Sequence, residues 1–151
     1  MSKSGEEYEE WDEDLYKHVV RVWHPSIDTS FVDDMLDLFY SSIVGRIYSY
    51  AENGLRVLSG VTSKPKSPKG LPALCDLDLY YQEIINKYNI TLPSIEVLWS
   101  DKVVFHKIRK EITHKGKCYL TETEKAGLQT NVESVLKMLL FVEEQIRIKS
   151  K

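Results

Sequence analysis

Thr121-Glu-Thr-Glu-Lys-Ala-Gly-Leu-Gln-Thr-Asn-Val-Glu-Ser-Val-Leu-Lys-Met-Leu-Leu-Phe-Val-Glu-Glu-Gln-Ile-Arg-Ile-Lys149 is the stretch that decides the fold. Leu128, Val132, Val135, Leu139, Val142 and Ile146 recur at spacings of four and three, which lays an apolar stripe along one face of a helix about five turns long. Thr121 and Glu124 stand three apart at its head. A Thr hydroxyl can accept from the third backbone N–H while the Glu side chain reaches back, as in a capping box.

Working backwards, Gly116 marks an exit from helical geometry, and a helix is expected over 94–113 with Leu98, Phe105 and Ile112 repeating at seven, widened by Val104 and Ile108. A helix is expected from about 73 to 89, carrying Leu77, Tyr81, Ile84 and Tyr88, with Asn89 as its C-cap and Pro93 beyond. Ser63-Lys-Pro-Lys-Ser-Pro-Lys-Gly-Leu-Pro72 cannot sustain a helix and forms a basic loop. Upstream, Val32, Leu36, Phe39, Ile43, Ile47 and Tyr50 describe a long helix starting at Ser30. Gly54 is expected to kink or end it, with the break between 52 and 61. Trp11, Leu15, Val19 and Val22 predict a further helix over 8–23, which Pro25 terminates. No segment alternates as a strand would. The fold class is therefore all-α: a helical bundle over 30–149, preceded by an acidic arm and an extra N-terminal helix over 1–29.

The 151 residues make one domain's worth of chain, and 42% hydrophobic with 28% charged residues is ordinary globular composition. Cys75 and Cys118 form no CxxC and are too few for a disulfide scaffold, so they read as reduced thiols of a cytoplasmic protein. No apolar run approaches a membrane span, and the N-terminus leads into acids instead of the apolar core of a signal peptide.

The net charge of −3 excludes nucleic-acid binding through overall charge, but the charge is unevenly placed. Between 101 and 117, Lys102, Lys107, Arg109, Lys110, Lys115 and Lys117 outweigh Asp101 and Glu111, a balance of +4. The first fifteen residues hold seven acids against Lys3, a balance of −6, and are expected to screen that basic segment. Lys and Arg supply the sequence-independent part of nucleic-acid affinity, and histidines among them add proton transfer near neutral pH. Arg109 and His114 are the candidate catalytic pair. A histidine can deprotonate a ribose 2′-OH or protonate the leaving oxygen, an arginine can hold the non-bridging oxygens, and neither task needs a metal. On an ideal helix the two lie about 140° apart, so one copy alone does not make a compact pair. His106, Lys110, Lys115 and Lys117 are candidate substrate contacts. A zinc site from Cys75, His106, His114 and Cys118 has no standard ligand spacing, so no metal or other cofactor is expected. Tyr80, Tyr81, Tyr88 and Trp99 read as core or interface aromatics, and His18 and His24 as incidental.

Phe105-His-Lys-Ile-Arg-Lys-Glu-Ile-Thr-His114, a short Lys-Gly-Lys loop, and Leu120-Thr-Glu-Thr-Glu124 opening a long amphipathic helix together resemble the C-terminal half of a HEPN domain. The resemblance is clearest over 95–147, extends more loosely to 30–90, and does not reach 1–29. It implies a four-helix bundle that dimerises, with an Arg-x4-His motif at the end of its third core helix. It also implies metal-independent cleavage of RNA by Arg109 and His114, the motif copies of two chains facing each other. Many such proteins act in toxin–antitoxin or defence systems, so the resemblance admits an antitoxin or a small nucleotidyltransferase as partner. Lys110 departs from the pattern, since active members usually carry Asn, Asp or His after the arginine. The alternative is therefore a catalytically silent HEPN-type module that binds nucleotide, RNA or a protein partner. A helical adaptor unrelated to that family is a third possibility.

Overall fold

The computed structural model describes residues 14, 17, 29–67, 69–70 and 74–151. Among them are six helices and no strand: α1 (Thr29–Ser59), α2 (Asp76–Tyr88), α3 (Ile95–Leu98), α4 (Lys102–Lys115), α5 (Glu122–Ala126) and α6 (Leu128–Lys149). The protein is an all-α bundle. None of the described helices is long and apolar enough to cross a membrane.

The chain divides into two compact units, residues 1–37 and 38–151. In the first, Val32 and Leu36 are buried and Lys17 pairs with Asp33 at 2.5 Å. Asp14 and Lys17 have helical backbone, but the acidic arm and the rest of the helix expected over 8–23 lie outside the described residues. The second unit holds the main core. Val44, Ile47, Tyr48, Ala51 and Leu55 bury one face of α1, at the spacings of three and four that a helix requires. Leu77, Tyr80, Tyr81 and Ile84 of α2, Ile95, Trp99, Phe105 and Ile108, Cys118 and Leu120, and Val135, Met138 and Val142 of α6 complete it. Each buried Val, Leu, Ile, Phe or Met among them contributes roughly 1.5–3 kcal/mol by leaving water.

α1 starts within a residue of the expected Ser30 and ends inside the expected window, but it does not break at Gly54. A Cβ at Gly54 would come within 2.7 Å of Leu139 Cδ1, so this glycine is there for close approach of α6 rather than for a bend. Asn89 adopts the left-handed C-cap geometry expected of it, with φ 50°.

Two expectations need correction. The single helix expected over 94–113 is two helices, because Trp99 is fully buried in an extended conformation between them. Its indole N–H donates to Asn131 Oδ1 at 2.8 Å, and Asn131 Nδ2 donates in turn to Asp101 Oδ2 at 3.0 Å and to Gly127 O at 2.8 Å. A buried indole N–H must find an acceptor, and a continuous helix would carry Trp99 away from this one. The C-terminal helix is likewise interrupted at Gly127. Its capping box is present as expected, but it caps the short α5. Along α6, Val135 and Val142 of the expected stripe are buried and Leu128, Leu139 and Ile146 pack against the core, but Val132 is 40% exposed, and Asn131 and Met138 are buried in addition.

Candidate active site

α4 carries the basic segment, and both of its ends are fixed. At its start the buried Lys102 ammonium meets Asp78 of α2 at 2.8 Å and Glu96 at 3.5 Å. Burial disfavours the charge on Lys102, but the Asp78 carboxylate outweighs it and holds the ammonium above its ordinary range. At its end Gly116 turns the chain at φ 80°, a left-handed geometry that glycine adopts without strain. Cys118 then locks the exit to α1: Ser41 Oγ donates to Cys118 O at 2.9 Å and accepts from Cys118 N at 2.8 Å. The Cys118 thiol donates to Glu111 at 2.9 Å. Burial first, and then this bond, push the thiol up to about 12, while the same bond draws the Glu111 carboxyl below its usual range.

Held in this way, α4 presents His106, Arg109, Lys110, Thr113 and His114 to one cleft of about 240 Å³, closed on its other sides by Tyr48 and Glu52 of α1 and by Cys75 and Asp76 at the head of α2. On a helical wheel His106, Thr113 and Lys110 fall between Arg109 and His114, so all five share an arc of about 140°. The spacing that argued against a compact pair is the width of the cleft floor. Lys115 and Lys117 stand outside its lining.

Arg109 Nη1 lies 2.9 Å from Glu52 Oε2, and its guanidinium stacks over the Tyr48 ring at 4.8 Å. Tyr48 Oη lies 3.1 Å from His106 Nδ1 and 3.5 Å from Cys75 Sγ. The Cys75 thiol donates to Asp78 Oδ2 at 2.8 Å, the carboxylate already held by Lys102. Burial is the main cause that raises both the Tyr48 phenol and the Cys75 thiol above their ordinary ranges, so both keep their protons at neutral pH. His114 and Lys110 are exposed, whereas His106 and Arg109 are half-buried.

Tyr48, Glu52, Asp76 and Thr113 are lining residues that sequence reasoning passed over, and Cys75 was weighed there only as a reduced thiol or a zinc ligand. Glu52 stands one helical turn after Tyr48, a core residue with a polar tip at the edge of the α1 apolar face, and that neighbouring pair could have marked them. Among the described residues no group of three or more His, Cys, Asp or Glu side chains is placed to hold a metal ion. A larger groove of about 390 Å³ between α1 and α6 is apolar except for Arg46 along its lining, and offers no acid–base chemistry. In comparisons with known proteins the chain matches no family model, no curated protein and no solved structure.

Proposed function

We propose that the protein is a metal-independent endoribonuclease of HEPN type, acting through Arg109 and His114 with the clefts of two copies facing each other across a dimer. The convergence of Arg109, His106, Lys110 and His114 on one cleft carries this proposal. Cleavage of a phosphodiester by the neighbouring 2′-OH needs groups that move protons and a cation that takes up charge on the non-bridging oxygens. Histidines and an arginine supply both. The purified protein should cut single-stranded RNA in EDTA, leave 2′,3′-cyclic phosphate ends, and spare DNA. His114→Ala and Arg109→Ala should each lower the rate by on the order of 10²–10⁴, the range for a positioned proton-transfer group or charge-stabilising donor.

A second possibility, the silent HEPN-type module, is favoured by the 2.9 Å Glu52–Arg109 ion pair, which occupies the cation that cleavage requires. It predicts RNA or nucleotide binding that depends on Arg109, with no RNA cut under any condition.

A further inference from the structure

The hydrogen bonds behind the cleft have a direction. Asp78 is ion-paired with Lys102 through both carboxylate oxygens, at 2.8 and 3.0 Å, and can only accept. The Cys75 thiol spends its one proton on Asp78 Oδ2, which leaves Cys75 Sγ as an acceptor for the Tyr48 hydroxyl. Tyr48 has one proton, and donating it to Cys75 leaves Tyr48 Oη with lone pairs toward His106 Nδ1, 3.1 Å away. The run His106 Nδ1–H, Tyr48 O–H, Cys75 S–H, Asp78 carboxylate therefore has every donor pointing the same way and ends on a charge. The opposite assignment, with Tyr48 donating to His106, would leave Cys75 Sγ without its donor.

We propose that this relay holds His106 as the Nδ1–H tautomer, leaving the Nε2 lone pair for the cleft, and that His106 is the general base of the RNA cleavage proposed above. The proposal rests on that cleavage for its second half only; the tautomer stands on the hydrogen bonds alone. In the reaction, His106 Nε2 takes the 2′-OH proton as the O2′–P bond forms. The P–O5′ bond breaks, and protonated His114, in the same cleft, gives its proton to the departing O5′. The products are a 2′,3′-cyclic phosphate and a 5′-hydroxyl, and exchange with water returns both histidines to their starting states. Arg109, at the edge of the arc on the far side of His106 from His114, is the cation for the non-bridging oxygens. Tyr48, Cys75 and Asp78 are positioning residues: they touch no reacting atom and act through the orientation and tautomer of His106.

The test is ¹⁵N NMR of the imidazole rings in the intact protein, joined to single-turnover cleavage of an RNA oligonucleotide. His106 should show a protonated Nδ1 and an unprotonated Nε2. Tyr48→Phe removes the acceptor for that proton while keeping the ring, and should shift the His106 signals toward the other tautomer. His106→Gln should lower cleavage by on the order of 10²–10⁴, and Tyr48→Phe should lower it by a smaller factor in kcat with KM little changed. An Nε2–H signal for His106 in the wild type overturns the relay, as does a Tyr48→Phe spectrum identical to the wild type. Full activity in His106→Gln overturns its role as base. If the wild type cuts no RNA, the cleavage and the role of base both fail, and the NMR result still decides the tautomer.

Discussion

At 2.9 Å from Glu52, the Arg109 guanidinium meets an anion before any substrate arrives. A phosphate entering the cleft must compete with that carboxylate, so Glu52 sets how much of Arg109's charge a nucleic acid can use. Glu52→Gln keeps a side-chain oxygen to hold the guanidinium but removes the competing charge. The expected outcome is tighter binding of a short single-stranded DNA, a ligand without the 2′-OH, at low salt. The salt dependence should steepen by about one phosphate contact. Fluorescence anisotropy across a salt series measures this, with Arg109→Ala as the background in which Glu52→Gln should change nothing. Weaker binding in Glu52→Gln would mean that Arg109 does not face phosphate. His106, Arg109, Lys110 and His114 could be named from the sequence because they lie on one helix, but the roughly 140° between Arg109 and His114 argued there against a compact pair, and the shared cleft became visible only in the structure. Glu52 and Tyr48 could not be named, since they lie 57 and 58 residues from the α4 side chains they touch, and only tertiary packing brings them there.

The same division between local and tertiary causes governs the elements. The capping box at Thr121, the C-cap at Asn89 and the exit at Gly116 depend on a few consecutive residues, and each is where the sequence placed it. The break at Trp99 was hidden because the apolar spacing runs on through it, and the need of one indole for an acceptor 32 residues away overrides that spacing. Gly54 was misread for a related reason: a glycine inside a helix signals weakness locally, while its use lies on the facing helix. That use is testable. Gly54→Val places branched methyls where even a single Cβ would meet Leu139 Cδ1 at 2.7 Å and Cδ2 at 2.8 Å. The variant should be destabilised by about 1–3 kcal/mol, the usual cost of overpacking, despite Val's better helix propensity. Leu139→Ala should restore part of the loss when combined with it, so that the two changes are less than additive. Urea unfolding of the four proteins in this cycle measures the coupling. Strict additivity would mean that the two helices do not meet at this point.

For the molecule as a whole, two properties follow from what is buried and where the charge lies. Burial raises the thiols of Cys75 and Cys118 and the phenols of Tyr48 and Tyr81, with Cys118 and Tyr81 each reaching about 12. In each case the folded state holds a proton that the unfolded chain releases earlier. The stability from these groups is complete below their ordinary values of 9.0 and 10.0, and falls as pH rises toward about 12. The melting temperature should drop steadily over that window, and Cys118→Ala, though less stable at pH 7, should show a shallower drop. An equal slope in the two proteins would remove Cys118 from the account. The second property is assembly. In the clefts proposed to face each other Glu52 and Asp76 offset Arg109 and Lys110, and the excess of charge lies around them, on a segment whose formal balance is +4, so two bare copies repel around the surface where they should meet. Salt shortens the reach of that repulsion to about 10 Å at 0.1 M, and a single-stranded nucleic acid threaded between the clefts replaces it with attraction to both. Light scattering should therefore give a mass near one chain at low salt. The mass should rise toward two chains as salt is raised, and rise further when an uncleavable single-stranded DNA is added at low salt. Lys110→Glu, which lessens the like charge at the mouth, should dimerise at lower salt than the wild type while binding the DNA less well. A single-chain mass in every one of these conditions would sink the facing-cleft arrangement and leave each cleft to act alone.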